Sequence, residues 1–219
     1  MLAIVALGLL SANLVLGLAI GDYNSTAREF NQANKAYYEA KRLHAPAAEM
    51  DVAKAAYEKT MAAFAEPHRR VLIHRLLGVA AALLAVLVNS ITITYFIGTS
   101  RWCKEVVETY QLPAALAERS ARLKRLAFPW ALLGIFTILA IVSLGAAADP
   151  GGANRASAAN LVLPHYLSAL LGIVLIAAAF YVQNSRINEN YQLIAEILAQ
   201  VAHARNDAGS PIAGADAAV

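Results

Sequence analysis

Residues 76–100 read LLGVAAALLAVLVNSITITYFIGTS, 25 residues without a single Asp, Glu, Lys or Arg. A helix needs about 20 predominantly apolar residues to cross the hydrocarbon layer of a bilayer, so this run is long enough to span one. Three more uncharged runs lie outward from it, at residues 1–20, 126–148 and 156–185. All 18 basic and 15 acidic side chains of the 219-residue chain fall outside these four runs. The chain is 15% charged overall, against about 25% in an ordinary soluble domain, and the deficit sits wholly in the runs. A water-soluble fold has no use for that segregation. The expected class is all-α: a four-span helical membrane protein with an extramembrane amphipathic helical hairpin between spans one and two.

The segments follow from the charge pattern. Residues 1–21 read as the first transmembrane helix, 22–70 as the hairpin, and 71–185 as a three-span bundle with an amphipathic connection at 101–125. Residues 186–206 read as a helical extension of the last span, and 207–219 as a disordered tail. A signal peptide begins with basic residues before a short apolar core. The first run has none, and Gly17-Leu18-Ala19 is its only passable cleavage site, so it is read as a retained span. In the connection, Pro113 divides two short amphipathic helices. Asp149-Pro150-Gly151-Gly152 is a turn.

Within the hairpin, Tyr23, Phe30 and Tyr37 recur every seven residues, and after Pro46 the residues Tyr57, Met61 and Phe64 keep helical spacing. Pro67 is expected to open the helix that enters the second span. Many facing positions are alanine, so the hairpin is expected to need a partner surface. Phe30, Tyr37, Tyr57, Met61 and Phe64 are the candidate assembly residues, since aromatic residues are enriched at interface cores. A second candidate is the coiled-coil-like seam Ile187, Tyr191, Ile194, Leu198 on the last helix.

Orientation is weakly written. Basic residues near the span ends divide almost evenly between the two sides, so the positive-inside rule decides little. The compact basic connection at 101–125 and the lone Cys103 favour that side, with both termini, as cytoplasmic. The expected location is a bacterial inner membrane. Aromatic residues at the far ends of spans two to four, among them Tyr95, Phe96, Trp102, Phe180 and Tyr181, are expected to form an interfacial belt.

Sites of chemistry are few. No carboxylate, Lys or Arg lies in any run, which argues against ion-coupled transport. Asn13, Asn89 and Ser90 are polar residues inside the spans, expected to pack helices together; on a sharper reading Asn89 and Ser90 line a small neutral pore with Thr92 and Thr94. No disulfide can form within the chain, because Cys103 is alone, and no phosphate loop, nucleophile elbow or nucleic-acid signature is present. His68 and His74 are six residues apart, too far for a shared helix face. His74 and His165, however, enter spans two and four from the same side. Two imidazoles on facing helices are what a bis-histidine haem b requires.

The leading expectation is a non-catalytic scaffold, accessory or sensory subunit without a resident cofactor. It would work in contact with lipid, as a homo-oligomer or in a larger membrane complex. The alternative is a haem b-binding electron-transfer anchor using His74 and His165, and a further alternative is the neutral pore.

Overall fold

The computed structural model describes residues 1–152 and 157–209. Five helices, α1 (Leu2–Leu18), α2 (Tyr23–Arg42), α3 (Ala47–Thr109), α4 (Ala114–Ala147) and α5 (Ala158–Gly209), account for nearly all of it. There is no strand among the described residues. α3, α4 and α5 each hold a stretch long and apolar enough to cross a membrane. α1, with α2 bent from it by 56°, is a fourth candidate, so the chain has three to four such elements. Their outward faces carry large apolar side chains, with Leu83 67%, Leu171 69% and Val174 65% exposed. Water would not tolerate that density of bare leucine and valine, and lipid does.

The helices pack as two units. The first comprises Met1–Val86 and Phe136–Ile176, the second Leu87–Ile135 and the chain from Ala177 on. In the first unit α2 begins at an N-cap: the Asp22 carboxylate accepts a hydrogen bond from the Ser25 backbone N–H at 3.1 Å, which holds its pKa below the usual carboxylate value. α2 and the start of α3 are joined by a turn at His44-Ala45-Pro46. His44 adopts φ 52° and the Ala45 N–H reaches the Ala40 carbonyl. This is the left-handed cap with a six-to-one bond that ends many helices, here without glycine. Gln111, with φ 53°, and the bond from Leu112 N–H to Val107 carbonyl repeat the device before Pro113 in the second unit.

Two boundaries differ from the sequence reading. Pro67 does not open a helix; it lies inside α3, which runs unbroken from Ala47. Its ring removes one backbone bond, but the neighbouring Glu66, His68, Arg69 and Arg70 are exposed, so water can serve the freed carbonyl. The arms of the 101–125 connection are likewise not separate short helices. They are the end of α3 and the start of α4, because neither glycine nor proline interrupts the chain between Thr99 and Leu112 or between Ala114 and Phe128. At the other end α5 continues to Gly209, and the rest of the expected tail, 210–219, lies outside the described residues.

The hairpin rings face one another across the two arms. Phe30 stacks on Phe64 with centroids 4.7 Å apart and planes 4° from parallel, and Tyr37 stacks on Tyr57 at 5.2 Å. Tyr23 stacks on Phe64 at 5.7 Å. Phe30, Tyr37, Tyr57 and Phe64 are therefore half-buried within the hairpin, while Met61 is exposed. This ladder supplies the contact that the small alanine faces lack. Phe64→Ala, which removes the ring touching Tyr23, Phe30 and His68, is expected to cost the hairpin about 2 kcal/mol, roughly half the loss at a fully buried phenylalanine. Faster amide exchange over 23–42, with exchange in α5 unchanged, is the measurement that checks it.

In the second unit α3, α4 and α5 share a core of Phe96, Cys103, Val107, Leu116, Leu123, Ala127, Leu193 and Ile197. Polar side chains are built into it. Gln183 donates to Asn89 at 2.9 Å. Asn190 donates to the Tyr95 hydroxyl and to Thr99, each at 3.1 Å, and accepts from Ser120 at 3.3 Å. Phe96 and Phe180 belong to the interior and not to an interfacial belt. On α5 the buried stripe is Gln183, Asn190, Leu193, Ile197. Ile187 and Ile194 flank it, and Tyr191 and Leu198 face outward.

Candidate functional site

The first unit holds a half-open pocket of about 680 Å³ bordered by α1, α3, α4 and α5, within the range of about 300–1,000 Å³ typical of ligand pockets. Its walls are mostly aliphatic residues, glycines and alanines, and its polar groups come from opposite elements: His74 and Arg75 on α3, His165 and Tyr166 on α5, Asn13 on α1, Asp149 after α4, and Asp22, Tyr23 and Asn24 at the start of α2.

The two imidazoles meet inside. Their ring centroids are 6.3 Å apart and their planes cross at 76°. Each ring lies against a glycine on another helix. A Cβ built at Gly17 of α1 would come within 2.9 Å of His74 Cε1, and one at Gly145 of α4 within 2.9 Å of His165 Cε1. Any larger residue at either position would push the ring away. The fourth residue before each glycine supplies a carbonyl. His74 Nδ1 is 3.1 Å from the Asn13 carbonyl oxygen; a carbonyl only accepts, so Nδ1 carries the proton and Nε2 presents its lone pair. His165 lies beside the Ile141 carbonyl, but its buried Nδ1 closes no hydrogen bond. Asn13 also lies against Gly78 of α3, where a Cβ would meet its amide at 3.0 Å. The Tyr166 hydroxyl donates to the Gly17 carbonyl at 2.8 Å, tying α5 to α1.

At the polar end of the cavity Arg75 pairs with Asp149 at 2.6 Å. Tyr23 stands by both; burial raises its phenol pKa, and its hydroxyl lies 3.1 Å from His68 Nδ1. Arg70 donates to the Ala19 carbonyl at 3.3 Å, capping the open end of α1.

This geometry can hold a metal only in a particular way. Among the described residues no three His, Cys, Asp or Glu side chains converge, so a tetrahedral protein-built site has too few ligands. Two neutral imidazoles suit an ion whose remaining positions come ready-made, which is the case for the iron of haem b. With about 2 Å per metal–nitrogen bond and about 1 Å from each nitrogen to its ring centre, an iron between two imidazoles separates the ring centres by roughly 6 Å. The observed 6.3 Å fits, and so does the backbone carbonyl that orients His74, since ligating histidines usually donate their other nitrogen in this manner.

The remaining sequence candidates lie elsewhere. Asn89 is buried in the second unit on Gln183, and a Cβ at Gly134 would come within 2.7 Å of its Oδ1. Ser90 is half-buried on α3. Thr92 and Thr94 donate to carbonyls of their own helix, Val88 and Ser90. Cys103 is fully buried, and burial pushes its thiol pKa up, the opposite of activation. Sequence reasoning missed Gly145, Tyr166, the Arg75–Asp149 pair and the contact of Gly17 with His74. A signal for the glycines was present: each stands three residues before the end of its uncharged run. No protein-family model, curated protein or solved structure matches the chain.

Proposed function

We propose that the chain is a haem b-binding, membrane-anchored electron-transfer subunit, with His74 and His165 as the axial ligands. The observation that carries this reading is the meeting of the two imidazoles at 6.3 Å inside a cofactor-sized cavity. Haem would supply a reversible one-electron centre. The protein's share is to bring the two imidazoles together, to hold the His74 tautomer through the Asn13 carbonyl, and to line the pocket with apolar side chains such as Val71, Ile138 and Val162. Gly17 and Gly145 let the rings lie against helix backbones where no other residue fits.

On this reading α1 is the first of four spans, and the hairpin and the polar end of the cavity share one side of a bacterial inner membrane. The termini and the Pro113 turn are cytoplasmic. An electron carrier without a catalytic site of its own needs a partner. The assembly reading therefore persists beside the haem, supported by Tyr191 and Leu198, 69% and 52% exposed on α5 beyond its uncharged run. The purified full chain, produced with haem supplied, is expected to show a Soret band and the sharp reduced α-band of a six-coordinate bis-histidine b haem. A colourless preparation would remove the haem and leave the scaffold.

A further inference from the structure

The cavity has a charged end that two axial ligands do not explain. Arg75 is the one Lys or Arg among the described lining residues, it follows a ligand candidate directly in sequence, and it is 43% exposed at the side chain. The neighbouring cations are engaged elsewhere: Arg69 and Arg70 both pair with Glu66, and Arg70 also reaches Ala19. Asp149 is held in place by its own turn, accepting the Gly151 N–H on Oδ1 at 2.8 Å while Oδ2 meets Arg75. A guanidinium carries five donors in a planar fork, more than one carboxylate can use. Tyr23 adds a hydroxyl at the same end.

Resting on the haem reading, we propose that Arg75, held by Asp149, binds the cofactor's propionate carboxylates, and that the pair sets its potential. Arg75 takes the carboxylates on the donors Asp149 does not use, which points the propionate edge toward the hairpin side and the apolar edge into the span. The same pair tunes the iron. A bis-imidazole ferric haem carries one more positive charge at its core than the ferrous form, so a nearby cation favours reduction and a nearby carboxylate opposes it. In the low dielectric of a cavity these effects are far larger than in water.

The test is a redox titration of the full chain in detergent, with haem retention read from the Soret band. Arg75→Gln is expected to lower the midpoint potential and to release haem faster to an apoprotein acceptor. Arg75→Lys is expected to recover the potential but less of the retention, since an ammonium cannot form the fork. Asp149→Asn is expected to raise the midpoint potential. Opposite shifts in the two charge variants cannot come from damage to the fold. A Soret band with unchanged midpoint and release in both would overturn this proposal while leaving the haem reading standing. A wild-type chain without a Soret band would overturn both.

Discussion

On the proposed haem reading, replacing His165 with leucine is expected to abolish the bis-histidine spectrum, and replacing His74 with leucine to do the same. Each substitution removes one of the two proposed ligands, and no group of three His, Cys, Asp or Glu side chains among the described residues offers a substitute. A single imidazole leaves the iron five-coordinate, so either variant is expected to be colourless or high-spin, and the double variant colourless. Neither change should unfold the chain. Both rings are half-buried, the His74 hydrogen bond is to a backbone carbonyl, and leucine is a good helix former. Helical circular dichroism and elution volume at wild-type values, with the low-spin spectrum gone, is the expected outcome. Retention of the wild-type spectrum in both single variants would sink the assignment of these ligands. Gly17→Val and Gly145→Val should act in the same direction, since a Cβ at either position comes within 2.9 Å of the ligand ring.

The second large effect is expected at Gly134, in the second unit. A Cβ there would stand 2.7 Å from Asn89 Oδ1 and 2.9 Å from its Nδ2. Asn89 is fully buried and accepts from Gln183, so its amide cannot swing aside without leaving polar atoms bare. A buried group stripped of its partner costs about 1–3 kcal/mol, and overpacking a tight contact costs about 1–3 kcal/mol more. Gly134→Ala is expected to lower stability despite the gain of up to about 1 kcal/mol that alanine brings to a helix interior. Gly134→Leu should cost several times that gain. Gly98→Ala is the matched control in the same unit: nothing lies within 4 Å of its Cβ position, and the propensity gain should appear as a small rise in stability. Thermal unfolding of the three variants in detergent micelles tests the order. A Gly134→Ala chain as stable as Gly98→Ala would show that the Asn89–Gln183 contact does not hold these helices together.

The membrane character, the helical class and the hairpin were written in the sequence, because each rests on a local pattern. Uncharged runs of 20 residues or more have few alternatives to a lipid-facing helix, and Pro46 between two amphipathic stretches marks a break in the chain. That His74 and His165 enter spans from the same side followed from counting along the runs. That they meet did not. Their distance depends on how α3 and α5 are rotated about their axes, and this rotation is set by contacts between residues far apart in the chain: Gly17 against His74, Gly145 against His165, Tyr166 on the Gly17 carbonyl. The same limit explains α5 beyond its uncharged run. Hydropathy marked Tyr191 and Leu198 as a seam, yet the buried stripe runs through Gln183 and Asn190, polar residues that count against burial until Asn89, Tyr95, Thr99 and Ser120 are seen to satisfy them. The hairpin rings carried an apolar signal without an address, and only the fold directs them across the arms onto one another. Local pattern determines which segments become helices and what solvent they want, whereas partner choice is a property of pairs that only tertiary packing decides.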